Sequence, residues 1–500
     1  MRPKTTHRKL LKSSVIIGAS SVLGVLFGFV RNKVAAEVVG PIGLGLIGIY
    51  RSLITTASAI AAIGFATSGV RSLANAAASH DRVALRTSWL ALWIGTTALA
   101  LIGGGIFWIE SGTISQQLLG SVKYTQDVRW LSIGVVFTVI AGSQTAKLNG
   151  FRRIGDISRV NVVSALCATI LAICALLVMG RHGVDAFVIA APVCSCVVAY
   201  IYARRIRVGD ASDVSLEFTS VVSHWGALAK AGIGIMVAGV AAAGGGLVVR
   251  AVVERTLGGV ALGQFQAAWT ISMTYVGYVV IAMATEYFPR LSTVIADKPA
   301  ANNLVNEQLE VALLTGGPVI LGMLALAPWI LTVLYASNFD AAAAVLQWQI
   351  CGDVFKVASF PLAYVMLAKG ASIRYIAAEL IFIVVLMGIT WFGVPRGGLA
   401  IAGSAVLVAY IIYFLSTYYV ARKLIAFRFT RESAMALALL AVAAASEVSI
   451  ADVHAREGVV LQMAIVVAVT IYCVLRIARL AASDDVSANR VIAVIQKFLK

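Results

Sequence analysis

The feature that most constrains this chain is a series of apolar stretches, each about as long as a bilayer is thick. A helix crossing about 30 Å of hydrocarbon needs about 20 apolar residues. That template fits fourteen times, at residues 13–30, 42–66, 88–109, 129–146, 157–179, 185–203, 228–249, 260–285, 309–335, 342–367, 375–394, 399–420, 433–450 and 458–478. In lipid, backbone polar groups must be satisfied within the chain, so such stretches have to be helices. Composition agrees: 60% of the residues are apolar and 13% are charged, against about 45–50% and 25% in a soluble domain. The expected fold is an all-α polytopic membrane protein.

The net charge of +17 would point to nucleic acid in a soluble protein. Here it follows the rule that cytoplasmic loops collect Lys and Arg. With a cytoplasmic N-terminus, 28 of the 40 basic residues fall in inner loops and 9 in outer ones, leaving Arg51, Lys230 and Lys356 in or at the ends of spans. The bias persists to the end of the chain, which predicts an even number of spans and two cytoplasmic termini, with no role for nucleic acid. Val34-Ala35-Ala36 only faintly resembles a signal-peptidase site, and no cleavage is expected there. All six cysteines lie in apolar runs without a CxxC pair and the five histidines are scattered, so neither a disulfide framework nor a metal site is expected. No GxxxxGK[ST] motif occurs, so no nucleotide cofactor is expected either. The longest outer loop, about residues 110–128, is too short for a catalytic domain, which argues against an enzyme. Residues 486–500 place Val491, Val494, Ile495 and Phe498 on one face, as in an amphipathic helix lying in the inner membrane surface.

A repeat runs through the chain. Gly40-Pro41-Ile42-Gly43-Leu44-Gly45 and Gly258-Gly259-Val260-Ala261-Leu262-Gly263 share Gly-x-x-x-Leu-Gly at an offset of 218. Arg71 and Arg290 follow at 219, and Gly150 and Gly370 at 220. These matches divide the chain into an N-lobe of spans 1–6 (residues 1–225), a C-lobe of spans 7–12 (226–425), two extra spans (426–480) and a cytoplasmic tail (481–500). Six is even, so the repeats share one orientation, a transporter plan with its site at the repeat interface.

A Lys or Arg at mid-bilayer costs about 2.5–3.5 kcal/mol on insertion scales and asks for a reason. Arg51 lies within span 2, with Thr55, Ser58 and Ala62 on its helical face. In span 10, Gln349, Asp353, Lys356 and Phe360 share one face; in span 8, Gln266, Thr270, Thr274 and Gly277 do so. Arg250 stands at the outer end of span 7 and Glu379 just inside span 11. Together they suggest a water-filled cavity with fixed cations for an anionic substrate, Asp353 holding Lys356 in place. Asp353 and Glu379 are also candidate sites for a coupling proton or sodium ion. Tyr364, Tyr275 and Tyr278 suit packing or interface anchoring better than sugar stacking.

The stretch from Trp348-Gln349-Ile350-Cys351-Gly352-Asp353-Val354-Phe355-Lys356-Val357 through Ala368-Lys369 and Arg374-Tyr375 to Glu379 resembles the Wzx-type flippases of the multidrug/oligosaccharidyl-lipid/polysaccharide exporter (MOP) superfamily. Gly40–Gly45 with Arg51, and Arg250 and Gln266, match as well. Within the superfamily the resemblance is to the O-antigen and enterobacterial-common-antigen translocases, over residues 10–420. It implies two six-helix lobes in a V. It also implies transfer of undecaprenyl-pyrophosphate-linked oligosaccharide from the inner to the outer leaflet of the bacterial inner membrane, beside a polysaccharide polymerase and chain-length regulator. The two extra spans depart from that pattern and are shared by the lipid II flippases, which keeps a lipid II-type flippase open. A drug or cation antiporter on the same fold would call for a cavity dominated by acidic residues.

Overall fold

The computed structural model describes residues 5–79, 82–206, 218–451 and 456–484, and every regular element among them is helical. The helices are α1 (Thr5–Ala61), α2 (Phe65–Ala78), α3 (Arg82–Ile109), α4 (Ser111–Leu119), α5 (Thr125–Gly150), α6 (Ile154–Met179), α7 (Val184–Ala203), α8 (Phe218–Val294), α9 (Lys298–Ala325), α10 (Ala327–Leu334), α11 (Ala342–Ala368), α12 (Ser372–Gly397), α13 (Leu399–Ile425), α14 (Arg431–Ala451) and α15 (Arg456–Asp484). Eleven helical stretches among the described residues are long and apolar enough to cross a membrane. Three of these are each divided in two: Val22–Ala61 at Gly40, Ile154–Ala203 at the 3-10 turn Gly180–Gly183, and Gly232–Thr274 at Gly258. Counted by halves, they give the fourteen spans of the hydropathy reading. The chain is a multi-pass membrane protein, and its surface fits that solvent: Leu101, Ile102, Ile106, Leu177, Val384 and Val442 stand exposed, while Gln349, Asp353 and Glu447 are fully buried. The amphipathic segment expected at 486–500, and the side chains of Tyr275 and Tyr278, lie outside the described residues.

The helices form two compact units. The first comprises Met1–Gly263 and Leu334–Asn338, the second Gln264–Val333 and Phe339–Lys500. Packing thus assigns the first arm of α8 to the first unit, whereas the repeat read from the sequence puts the boundary at residue 225. Glycines explain this. A Cβ on Gly64 would strike the carbonyl of Gly232, and one on Gly45 would lie 2.9 Å from the nitrogen of Gly263 and 3.1 Å from the oxygen of Gly259. Reciprocally, a Cβ on Gly263 would strike the carbonyl of Pro41. Only bare glycine backbone allows helices this close. Residues 334–338 join the same unit, where the Lys33 ammonium donates to the Tyr335 carbonyl.

The backbone carries the repeat more faithfully than the side chains do. Gly40 (φ 65°, ψ −167°) and Gly258 (φ 84°, ψ 174°) break their helices in the same way, in a region of backbone space open almost only to glycine. Gly180 and Gly398 also pair at positive φ, and so do Arg152 and Gly370; each pair is 218 residues apart. Helices α6 and α12 begin and end at that same offset. The match of Gly150 with Gly370 at offset 220 is therefore corrected: the counterpart of Gly370 is Arg152, which takes the left-handed turn at the helix end (φ 54°) without being a glycine.

In the second unit α14 and α15 pack on α9. The Asn306 amide holds the turn before α14, donating to the Arg428 carbonyl (2.9 Å) and accepting from the Thr430 nitrogen (2.9 Å). Arg476 donates to Glu310 at 2.7 Å. The two extra spans are thus fastened by polar contacts that lipid cannot replace.

Candidate functional site

In the first unit, the arms of α1 on either side of Gly40, with α2, α5 and α7, enclose a cavity of about 550 Å³. Arg31 and Arg51 both line it. So do Thr55, Ser58 and Ala62, which helical spacing places on the Arg51 face. The guanidinium carbons of Arg31 and Arg51 lie 5.6 and 5.7 Å from the centre of the Phe187 ring. A ring so placed is attracted to a cation at about 2 kcal/mol when desolvated. It holds both side chains without consuming their N–H groups. Arg31 Nε and Arg51 Nη2 are buried and have no hydrogen-bond partner among the described residues. Such a donor costs about 1–3 kcal/mol when left unpaired, so the pair is set up to receive an acceptor. Among the described residues no carboxylate lines the cavity. A second cavity of about 680 Å³ shares Ala66, Thr138, Gly142, Ala191 and Pro192 with the first and reaches Arg71 and Asn149. The two make one trough with an arginine at each end. Between those ends the helix breaks at Ile63 and Gly64, both at positive φ.

Arg31 and Phe187 escape the sequence reading. The apolar template for span 1 stops at residue 30 because Arg31 is charged, yet the helix continues to the break at Gly40. The signal was the Gly-Pro pair, which marks the end of the first arm more accurately than hydropathy does. Arg250 does not line either cavity. It is 6% exposed and donates to the Gly246 carbonyl of its own helix at 2.9 Å.

In the second unit α11 carries Asp353 and Lys356 one turn apart, and α8 faces them with Ser272 and Met273. Asp353 Oδ2 accepts from Ser272 Oγ at 2.9 Å, while Oδ1 has no hydrogen-bond partner among the described residues and lies 3.9 Å from Lys356 Nζ. Asp353 is fully buried, and so is Gln349, whose amide has no partner among the described residues. Of the four-residue stripe, Lys356 and Phe360 line one cavity of the second unit, and Gln349 and Asp353 do not line it. Gln266 donates to Thr270 Oγ1 at 2.9 Å and does not line that cavity.

The Lys356 cavity measures about 240 Å³ and is walled by Phe360, Ala363, Tyr364, Tyr375, Glu379, Phe382, Tyr410 and Tyr413. Lys356 Nζ lies 5.1 Å from the centre of the Tyr410 ring and 3.4 Å from Met273 Sδ. Glu379 accepts from Tyr413 Oη at 2.7 Å. At the 218-residue offset, Lys356 corresponds to Thr138, Phe360 to Gly142, Ala363 to Thr145, Tyr364 to Ala146, Tyr410 to Pro192 and Tyr413 to Ser195. All six counterparts line the trough of the first unit. The two units hold the same cavity, open and small-walled in one, ringed by aromatic groups in the other.

The fold recurs in known transporters. The lipid II flippase MurJ, in an inward closed conformation, superposes with a TM-score of 0.69 at 13% identity, over 94% of this chain and 99% of that one. An inward-facing multidrug resistance MATE family transporter of the MOP superfamily gives 0.68 at 14% identity, over 82% and 98%. In sequence, the lipid III flippase of Escherichia coli (strain K12) is 23% identical over 414 residues, 81% of this chain and 96% of the relative. The Shigella flexneri lipid III flippase gives the same figures. Residues 34–344, which run from the arm of α1 beyond Arg31 to the start of α11, match the model of one family. With more than half of the chain matched, this protein belongs to the polysaccharide biosynthesis protein family.

Proposed function

We propose that this protein is a flippase for lipid-linked sugars, carrying an undecaprenyl-pyrophosphate-linked oligosaccharide from the cytoplasmic to the periplasmic leaflet of the bacterial inner membrane. The observation that carries the reading is the arginine pair of the first unit. Arg31 and Arg51 line a cavity with no carboxylate among the described residues, and Arg31 Nε and Arg51 Nη2 are buried without a hydrogen-bond partner among those residues. Planar guanidinium forks match phosphate oxygens in geometry and charge. The trough from Arg51 to Arg71 gives a diphosphate headgroup a hydroxyl-lined path, and the charged centre of the second unit is Lys356 with Asp353. The relatedness to lipid III flippases supports this reading. The O-antigen, common-antigen or exopolysaccharide repeat unit is the class of cargo, and a polymerase and chain-length regulator are the expected partners. Both termini are cytoplasmic by the loop charge bias. The likeness to a lipid II flippase over 94% of this chain supports a lipid II-type cargo as the alternative.

A drug or cation antiporter, which the MATE likeness brings forward, would need acidic groups where Arg31 and Arg51 stand. The test is deletion of the gene and analysis of undecaprenyl-linked oligosaccharides by leaflet. Accumulation of a completed unit on the cytoplasmic leaflet, reversed by the wild-type chain and not by Arg51→Ala, is the expected result. Unchanged leaflet distribution would overturn the reading.

A further inference from the structure

The aromatic cavity of the second unit poses a question that packing alone does not answer. Six of its nine lining residues have Thr, Gly, Thr, Ala, Pro and Ser as counterparts in the first unit, on α5 and α7. If large rings had replaced small residues only to improve packing, they would have closed the space. Instead about 240 Å³ remains, bounded by ring faces and edged by Lys356 and Glu379. Phe360 and Tyr364 stand 4.4 Å apart at 54°, and Phe382 and Tyr410 4.5 Å apart at 35°.

We infer that this cavity is a monosaccharide subsite, taking one pyranose ring of the lipid-linked headgroup. The inference rests on the flippase reading and adds to it the part of the cargo that this unit reads. The size selects a single ring, since drug-sized ligands need about 300–1,000 Å³. The chemistry selects a sugar. The C–H edges of a pyranose carry partial positive charge and suit the negative faces of Phe360, Tyr364 and Phe382. Its hydroxyls both donate and accept, and the cavity offers an acceptor in Glu379, a donor in Lys356 and phenol groups that do both in Tyr375, Tyr410 and Tyr413. A purely apolar ligand would use none of these groups, and a diphosphate would meet the Glu379 carboxylate.

The experiment is titration calorimetry on the full-length chain in nanodiscs. The probes are farnesyl pyrophosphate and its glucosyl, galactosyl and N-acetylglucosaminyl derivatives. At least one sugar-bearing probe should bind about tenfold tighter than farnesyl pyrophosphate, the worth of one good charge-assisted hydrogen bond. Tyr364→Ala and Glu379→Gln should erase that increment and leave the affinity for farnesyl pyrophosphate within about twofold, a difference too small to count as a lost contact. A variant that fails to fold loses both probes and is thereby recognised; Tyr364→Leu, which keeps apolar volume and removes the ring, then takes its place with the same expectation. If all four probes bind the wild type equally, or the variants keep the increment, the sugar subsite is wrong while the arginine site stands. If no probe binds, the diphosphate reading itself fails, and the subsite with it.

Discussion

Arg31 and Arg51, one on each arm of α1, share a single aromatic ring, that of Phe187 on α7. Like charges are not usually gathered without an anion between them, and here the ring lies beside both side chains while Arg31 Nε and Arg51 Nη2 have no hydrogen-bond partner among the described residues. Arg31→Ala and Arg51→Ala should each lower flipping in proteoliposomes by about tenfold or more, the value of a lost charge-assisted hydrogen bond. Arg51→Lys should keep part of the activity, because the charge remains and the fork does not. The double alanine variant should cost less than the two single losses combined, since the residues share one ligand and one ring. Full activity in both single variants would remove the pair from the site.

The buried pair of the second unit makes a stability prediction. Lys356→Ala leaves Asp353 with Ser272 and no cation, and stranding one partner of a buried pair costs about 3–5 kcal/mol. Asp353→Ala combined with Lys356→Ala should therefore melt closer to the wild type than Lys356→Ala alone, by thermal unfolding in detergent. If Asp353 only holds Lys356, the double variant should also be no worse in flipping than Lys356→Ala. Equal melting of all three would show that the two groups do not compensate one another.

Backbone strain can be tested at the repeat positions. Gly40→Ala and Gly258→Ala force a Cβ into a conformation that costs about 1–3 kcal/mol, and both should lower the melting temperature by similar amounts. Arg152→Gly should act in the opposite sense. Its left-handed turn costs an L-residue about 1–2 kcal/mol that glycine does not incur, so the variant should melt at or above the wild type.

Orientation follows from loop charge. Reporter fusions after Arg153 and after Arg428 should be active on the cytoplasmic side, and a fusion after Arg181 on the periplasmic side. A fusion after Arg428 active only outside would reverse the assignment.

On the proposed flippase reading the cargo is a diphosphate with about two negative charges, and the membrane potential, negative inside, is worth about 2.3 kcal/mol per charge per 100 mV. Outward movement of the anion then gains about 4–5 kcal/mol by the same arithmetic. If Arg31 and Arg51 neutralise it instead, the empty cationic protein gains by returning. Flipping in proteoliposomes should follow an imposed potassium-diffusion potential without any pH or sodium gradient. Dependence on an ion gradient alone would move attention to Asp353 and Glu379 as coupling residues.

Much of this was legible in the chain. Span length and apolar content identify the helices because lipid leaves a backbone no other choice. Helical spacing correctly groups Thr55, Ser58 and Ala62 with Arg51, since one face of one helix is a local property. The same logic overreaches at Gln349, whose stripe continues into the core, because spacing names a face and not where a cavity along it ends. Arg31 was hidden by its own charge, which terminates an apolar window while the helix runs on to Gly40. Phe187 was invisible because its role depends on α7 crossing both arms of α1, a long-range contact with no local pattern. The aromatic box around Lys356 draws on α11, α12 and α13; the sequence reading names Phe360, Tyr364 and Tyr375 of it, and Phe382, Tyr410 and Tyr413 carry no local signal.

The close approach of the Gly40–Gly45 and Gly258–Gly263 segments is reciprocal. Gly45 meets Gly259 as Gly263 meets Pro41, so the counterparts of a touching pair touch one another too. That is the signature of an isologous contact, the kind two identical subunits make across a two-fold axis. In an assembly of identical subunits every substitution is inherited by both sides at once, and neither pocket can be refitted without refitting the other. Joining both copies in one polypeptide lifts that restriction: one pocket can keep its threonines and glycine while the other trades them for lysine and rings.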